Sequence, residues 1–158
     1  MQAPAKDGIK IGIHKNKYEI YVGRDIFDYS TPGGIHWDSE ASVTSLSSTN
    51  GLISNNLQLT YQYLSINDIC GCNWVESNSN KYLPEGRITM NDNFKGVSST
   101  VGRWKFADGT FTDGVIASDT RLIKYLDQNN KVAISRSDQT YEILVCKPAS
   151  SKNFSSFI

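Results

Sequence analysis

The stretch Val101-Gly102-Arg103-Trp104-Lys105-Phe106 begins a segment of the chain that ends on Tyr141-Glu142-Ile143-Leu144-Val145. An earlier segment begins in the same way, on Val22-Gly23-Arg24, and ends on Tyr61-Gln62-Tyr63-Leu64. In both segments a phenylalanine follows the arginine by three positions. The chain is therefore expected to contain one pattern twice, and an internal repeat constrains the fold more than any single motif does.

The spacing of landmarks inside the two segments supports this repeat. Gly34 lies 27 positions before the tyrosine that opens the last run of the first segment, and Gly114 lies 27 positions before the corresponding tyrosine of the second. The offset between the segments is 79 before a one-residue slip and 80 after it. Two copies of one structural unit are the expected result.

Apolar residues alternate with polar ones in several short runs, which is typical of half-buried β-strands. Two such runs, at Ile9–Ile13 and Tyr18–Val22, predict a hairpin. Tyr29–Gly34 predicts a turn, because its proline and glycines favour turn conformations. Ala107–Thr110 contains Asp-Gly and predicts a tight hairpin turn. Further strands are predicted at residues 35–46, 57–63, 87–90, 95–101, 122–126, 132–135 and 140–146.

No window of eleven or more residues has an apolar stripe at helical spacing. Short strands separated by frequent turns predict an all-β fold, either a sandwich or barrel-like. We expect both repeats to share one compact domain with flexible ends. The expected divisions are an N-terminus at 1–8, a first repeat at 9–66, a second repeat at 67–147 and a C-terminal tail at 148–158.

The charge balance bears on the partners of the protein. Lys and Arg number 16, Asp and Glu number 16, and the formal net charge is zero. Because no basic excess is present to neutralise phosphates, nucleic acid is not expected as a partner. No apolar run is long enough to predict a membrane span, and Met1–Lys10 lacks the apolar core of a signal peptide. A cytoplasmic protein is expected, or a secreted one if a leader has been removed.

The three cysteines, Cys70, Cys72 and Cys146, match neither a disulfide framework nor a zinc site. We expect reduced thiols, no bound metal and no cofactor. The chain has two histidines, His14 and His36, and neither a Gly-x-Ser-x-Gly nor a His-Glu-x-x-His motif. A non-enzyme is therefore predicted, although two carboxylates at glycosidase spacing in a cleft would favour an enzyme.

Trp37 is the first candidate for contact with a ligand. It follows the predicted turn and stands between His36 and Asp38. An indole stacks on the apolar face of a sugar ring, while neighbouring polar groups bind its hydroxyls. The alternative is a core tryptophan with two exposed neighbours. The same two alternatives apply to Trp74 and Trp104.

Arg24 and Arg103 occupy equivalent positions in the two segments. Either they contact an anion or hydroxyl groups of a ligand, or they bond to main-chain carbonyls and hold the repeat together. The predicted ligand-binding residues are His14, Arg24, His36, Trp37, Asp38, Asp113 and Asp119.

Motifs in both segments follow one another in a particular order. They are Tyr21-Val22-Gly23-Arg24, Thr31-Pro32-Gly33-Gly34 and a Tyr-x-x-Leu closing strand, then Asn73-Trp74-Val75, Leu83-Pro84-Glu85-Gly86, Val101-Gly102-Arg103 and Tyr141-Glu142-Ile143-Leu144-Val145. This order resembles the DM-nine repeat, also called the natterin-like repeat, over about residues 9–147. The resemblance implies two intertwined antiparallel β repeats with pseudo-twofold symmetry. Its better-understood members are mannose-binding lectins of invertebrate innate immunity, often dimeric, and the same repeat forms the lectin-like end of natterin-type pore-forming toxins.

The charged sugar contacts of that family are replaced in this chain. His14 stands where the mannose-binding members have an aspartate two residues after a glycine. Gly34 and Gly114 stand where they have a lysine, and Asn55 and Ser135 stand where they have a glutamate. The resemblance therefore implies the scaffold but does not carry mannose specificity over.

These observations favour a non-catalytic carbohydrate-binding, lectin-like protein, and the resemblance implies a role in innate immune recognition. The expected partners are a glycan ligand and a second copy of the chain in a homodimer. The alternative is a protein-interaction or oligomerisation module that keeps the scaffold and has lost the sugar site. A hydrolase built on acidic residues is the third hypothesis.

Overall fold

A computed structural model describes residues 8–13, 19–25, 28–37, 43–48, 51–54, 61–63, 69–91, 98–129 and 131–148. Within these ranges the chain forms thirteen β-strands and no helix. The strands belong to two sheets, and every pairing between them is antiparallel. The prediction of an all-β fold is confirmed.

The first sheet has six strands in the order β1-β2-β3-β4-β5, and β6 also pairs with β2. β1 pairs with the first half of β2 and β6 with the second half, so both lie on the same side of β2. The strands are β1 Lys10–Ile13, β2 Glu19–Asp25, β3 Asp28–Trp37, β4 Val43–Ser48, β5 Gly51–Ser54 and β6 Tyr61–Tyr63.

The second sheet has seven strands in the order β12-β11-β10-β9-β13-β7, and β8 also pairs with β9. β8 pairs with the first half of β9 and β13 with the second half. The strands are β7 Ile69–Ser77, β8 Thr89–Asn91, β9 Ser98–Lys105, β10 Phe111–Ala117, β11 Ile123–Leu126, β12 Val132–Ile134 and β13 Tyr141–Pro148.

The two sheets follow the same pairing scheme, with β8 to β13 in the places of β1 to β6. The correspondence extends to single residues, because Arg24 is opposite Gln62 and Arg103 is opposite Glu142. Within the described part of the chain β7, which pairs with the outer side of β13, has no counterpart in the first sheet. The boundaries 9–66 and 67–147 for the repeats stay predictions.

The predicted turn at Tyr29–Gly34 is wrong, because these residues lie within β3. Pro32 is opposite Arg24 of β2, but the pairing of β3 with β4 ends at Gly33. A proline has no N–H to donate, and it is tolerated in a strand where one side needs no partner. Pro32 meets this condition, so the strand continues through the proline and glycines.

Two other local predictions are confirmed. β1 and β2 form the predicted hairpin, with Ile13 opposite Glu19. At the Ala107–Thr110 turn the Phe106 N–H donates to the Thr110 carbonyl at 2.8 Å. Gly109 has a φ of 89°, a left-handed conformation that glycine adopts at low cost.

A buried cluster joins the two sheets. Its members from the first sheet and the residue before it are Ile9, Ile11, Ile20 and Val22. Those from the second sheet and its β7–β8 connection are Ile88, Val101, Leu144 and Cys146. A second buried cluster forms on the opposite face of the second sheet, from Ile116, Ile123, Tyr141 and Ile143. Strand β13 contributes alternate side chains to both clusters, as the two-residue period of a strand requires.

The expectation of reduced thiols is wrong for two of the three cysteines. Cys72 of β7 and Cys146 of β13 form a disulfide with a Cα–Cα distance of 4.1 Å. They are separated by 74 positions in the chain but are directly opposite in the sheet. The spacing of cysteines in the sequence could not show this pairing, because the strand pairing brings the two residues together.

Candidate functional site

The ligand contacts predicted in the first segment stay predictions. His14 and Asp38 lie outside the described residues. The main chain of Arg24 lies in β2, and those of His36 and Trp37 lie in β3. Trp37 is opposite Glu19 of β2. Glu19 lies five residues before Arg24, which corresponds to a distance of about 17 Å along a strand. The main chains of Arg24 and Trp37 are therefore at opposite ends of the β2–β3 pair.

The two predicted aspartates of the second segment occupy different surroundings. Asp113 is buried in β10, where it is opposite Arg103 and 3.4 Å from the Thr112 hydroxyl. Asp119 is exposed in the turn between β10 and β11. Asp119 lines a surface hollow, and Asp113 is not among the residues that line it.

This hollow, called here the Tyr82 hollow, has a volume of about 450 Å³. It lies where the connection between β7 and β8 meets the turn between β10 and β11. Its lining combines an aromatic ring, an aliphatic side chain, two guanidinium groups, a hydroxyl and a carboxylate. The residues are Tyr82, Leu83, Arg87, Ser118, Asp119 and Arg121.

Local hydrogen bonds hold the β10–β11 turn in shape. The Asp119 carboxylate accepts from the Thr120 N–H at 2.8 Å, and the Thr120 hydroxyl accepts from the Leu122 N–H at 3.3 Å. Arg121 has a φ of 58°, which is uncommon for a residue other than glycine. Its N–H donates to the Ala117 carbonyl at 2.8 Å, and its own carbonyl accepts from the Tyr141 hydroxyl at 2.6 Å. These bonds fix the direction in which the Arg121 side chain leaves the turn.

Tyr82 and Arg121 meet across the hollow. Tyr82 is 91% exposed, although its side chain is large and aromatic. The Arg121 guanidinium carbon lies 5.4 Å from the centre of the Tyr82 ring, within the range of a cation–π contact. Arg121 also donates to the Lys81 carbonyl at 3.2 Å. The ring is therefore positioned by the arginine but remains open to solvent.

Arg87 lies at the end of the β7–β8 connection. Its Nη1 donates to the Pro84 carbonyl at 3.0 Å, which holds the side chain against the turn containing Gly86. Gly86 has a φ of 81°, so a glycine suits this turn. The Nε atom of Arg87 is buried and has no hydrogen-bond partner among the described residues.

A second depression, called here the Arg103 groove, has a volume of about 230 Å³. The Arg103 guanidinium donates to the Glu142 carboxylate at 2.9 Å and to the Ile11 carbonyl of the first sheet at 2.6 Å. Its carbon lies 3.8 Å from the centre of the Phe111 ring and 4.6 Å from that of Trp74. These contacts agree with the structural alternative for Arg103, since the guanidinium joins the two sheets.

Two carboxylates line the Arg103 groove. Glu76 of β7 and Glu142 of β13 are directly opposite, and side chains in such positions have Cβ atoms about 4.5–5.5 Å apart. Glu142 is engaged by Arg103, with Nη2 2.8 Å from Oε1. The position of Glu142 is thus accounted for by an ion pair between β9 and β13.

One of the six residues that line the Tyr82 hollow, Asp119, was predicted from the sequence as a ligand contact. The other five were not predicted, and they are Tyr82, Leu83, Arg87, Ser118 and Arg121. A tyrosine beside a polar loop and a Leu-Pro-Glu-Gly turn is the local signal that could have drawn attention to Tyr82. No local signal relates it to Arg121, because the two residues meet only through the fold.

Among the described residues no helix has the length and apolar character needed to cross a membrane. Comparison of the chain with models of protein families gives no match, and comparison with curated proteins gives none either.

Proposed function

We propose that this chain is a non-catalytic carbohydrate-binding protein with a lectin-like mode of recognition, and that a sugar ring binds in the Tyr82 hollow. The observation that carries this proposal is the exposure of Tyr82 beside a set of planar polar groups. Burial of a large aromatic ring is normally favourable, so a ring that is 91% exposed in the β7–β8 connection is available for contact with a ligand. An open aromatic face with convergent polar groups is the usual chemistry of a saccharide site.

The polar groups around the ring suit the hydroxyls of a sugar. Asp119 offers carboxylate oxygens as acceptors, and Arg121 offers guanidinium N–H groups as donors. Ser118 offers a hydroxyl, which both donates and accepts. The turn that bears all three is held by its own hydrogen bonds, so little conformational entropy is lost when a ligand binds.

The scaffold gives this proposal a second support. The same pairing scheme occurs in both sheets, and one buried cluster contains residues from both. We infer an arrangement of two intertwined repeats with pseudo-twofold symmetry, packed as a sandwich, as the resemblance to the DM-nine repeat implies. A role in innate immune recognition is part of the same proposal.

Replacing Tyr82 tests the proposed site directly. Burial of the Tyr82 side chain by a bound sugar contributes roughly 1.5–3 kcal/mol to binding, so Tyr82→Ala should weaken saccharide binding by about 10- to 150-fold. Tyr82→Phe keeps the ring and should bind within a few-fold of wild type. Thermal melting against mono- and oligosaccharides would find the ligand, since a hundredfold excess over Kd adds about 2.7 kcal/mol of apparent stability. Equal binding by wild type and Tyr82→Ala would exclude this hollow.

The edge strand β12 favours a second candidate function, a protein-interaction or oligomerisation module. β12 is the outermost strand of the second sheet, and its apolar residues Val132 and Ile134 are 47% and 57% exposed. An edge strand with apolar side chains can pair with a strand of another chain. This function predicts that wild type sediments as a dimer and that Ile134→Lys sediments as a monomer. It also predicts that no glycan changes the melting temperature.

A further inference from the structure

We propose that the ligand of the Tyr82 hollow is an acidic saccharide, one whose sugar bears a carboxylate or a sulfate group. This inference rests on the proposed function and adds the charge of the ligand to it. The lining of the hollow contains two guanidinium groups, from Arg87 and Arg121, and one carboxylate, from Asp119. Two positive charges against one negative leave the lining with an excess of positive charge.

The arginines of the hollow differ from the other arginines whose side chains the structure describes. Arg103 and Arg136 each form an ion pair with a carboxylate. Within the described part of the chain, Arg87 and Arg121 form none. Two guanidinium groups without a carboxylate partner in one concave surface provide a site for an anion that comes from outside the chain.

The geometry of both guanidinium groups is set by main-chain carbonyls. Arg121 donates to the carbonyl of Lys81, and Arg87 donates to that of Pro84. A guanidinium has five N–H donors, so each group keeps donors beyond the carbonyl bond. Carboxylate and sulfate groups match a guanidinium fork well, because both present two oxygens at the spacing of two N–H donors.

The other residues of the hollow suit the sugar ring that carries the acidic group. The open face of Tyr82 suits the apolar face of the ring, and Asp119 accepts from ring hydroxyls. A neutral sugar would leave both arginine charges unpaired in the complex. An acidic sugar pairs one or both and still uses the tyrosine and the aspartate.

Isothermal titration calorimetry with a matched pair of ligands tests this inference. An oligogalacturonide and its methyl ester have the same rings, but the ester has lost the negative charges. We expect the acid to bind at least about tenfold more tightly than the ester, a difference that decreases as ionic strength rises. A sulfated disaccharide and its unsulfated form make a second pair, which separates sulfate from carboxylate recognition.

Three variants assign the preference to the hollow. Arg121→Gln should reduce the ratio between acid and ester to about one, whereas Arg121→Lys keeps the charge and should preserve most of it. Lys131→Gln removes an exposed cation beyond the other end of β11 and should leave the ratio unchanged. Melting temperatures of the variants without ligand establish that each is folded.

The remaining outcomes overturn the inference in distinguishable ways. Equal binding of acid and ester would show a neutral saccharide site, and the proposed function would stand without the charge. Binding of inorganic sulfate as tight as that of the sulfated disaccharide would show an anion site without sugar recognition. No binding of any saccharide would overturn the proposed function itself.

Discussion

At the scale of single residues, Arg103 shows how one side chain connects distant parts of the molecule. Its guanidinium donates to Glu142 of β13 and to the carbonyl of Ile11 in β1. The ion pair is mostly buried, with side-chain exposures of 16% and 26%. A half-satisfied buried charge is costly, so the several partners of Arg103 explain why an arginine is accommodated between two sheets.

Glu19 and Tyr21 make a prediction at the same scale. The Tyr21 hydroxyl donates to the Glu19 carboxylate at 2.7 Å. This bond is the largest influence that lowers the pKa of Glu19 below its ordinary value of 4.5, ahead of the contact with Lys10. Burial, together with the Glu19 carboxylate, raises the pKa of Tyr21 to about 12.

Tyr21→Phe should raise the pKa of Glu19 toward 4.5, as measured by an NMR titration of the side-chain carboxyl. Lys10→Met should raise it less, because both partners of that pair are about 40% exposed and screened by solvent. A larger effect of Lys10→Met would contradict the assignment.

The sign of the effect on stability follows from linkage. Since the pKa of Glu19 is lower in the folded chain, its contribution to the free energy of unfolding is present above pH 4.5. This contribution is lost as the pH falls through the pKa that Glu19 has in the folded chain. The free energy of unfolding, measured with urea, should therefore decrease more between pH 6 and pH 3 for wild type than for Tyr21→Phe.

At the scale of elements, the glycines of the repeated motif permit a close approach between strands. Gly102 of β9 is opposite Gly114 of β10. A Cβ at Gly102 would overlap the end of the Ile116 side chain and lie 3.0 Å from the Glu142 carbonyl oxygen. A Cβ at Gly114 would lie 2.5 Å from Ile123 Cδ1. The glycine of Val-Gly-Arg thus leaves room for two isoleucines of the second core cluster.

Gly102→Ala should destabilise the protein by about 1–3 kcal/mol. The Ile116 side chain can shift away from the added methyl group, but the main-chain carbonyl of Glu142 cannot. Gly71→Ala is the matched control, since no atom lies within 4 Å of a Cβ at that position. Urea unfolding of both variants measures the difference. Equal stabilities would show that the sheet relaxes around the added methyl group.

At the scale of the whole molecule, the disulfide links the first and last strands of the second sheet, which are neighbours in it. Cys72 lies in its first strand and Cys146 in its last, and the chain between them forms all the other strands of that sheet. A bond across 74 positions restricts the unfolded chain strongly, and such bonds typically contribute about 2–4 kcal/mol.

Reduction should therefore lower the free energy of unfolding by about 2–4 kcal/mol in urea titrations with and without a reductant. The denatured, non-reduced protein should titrate with one thiol, from Cys70, because the other two cysteines are bonded. The control variant Cys70→Ser should show no thiol and should keep the response to the reductant. A count of three thiols in wild type would disprove the bond.

Much of the fold could be predicted from the sequence because strand formation depends on near neighbours. Alternation at Ile9–Ile13 predicted β1, and Asp-Gly at Asp108-Gly109 predicted the turn before β10. The prediction failed at Tyr29–Gly34, where the partner strands decide whether a proline is tolerated. There the preference of proline and glycine for turns was overridden by strand pairing, because Pro32 pairs with β2 and has no partner residue in β4.

The candidate site was predicted less completely. Asp119 was found from its place in the second segment, whereas Tyr82, Arg87 and Arg121 were not. Each of the missed residues lies in a turn or beside one, where polar and aromatic residues are ordinary. Their importance comes from the approach of two turns, which no spacing along the chain reveals.

The sequence by itself determined the all-β class, the absence of helical periodicity and the pattern that appears twice, since these depend on residue type and spacing. The tertiary structure decided which cysteines pair, which partners Arg103 takes and which residues line the Tyr82 hollow. These features join residues that are tens of positions apart. Their contacts are set by the register and packing of strands, and several registers are compatible with the same local preferences.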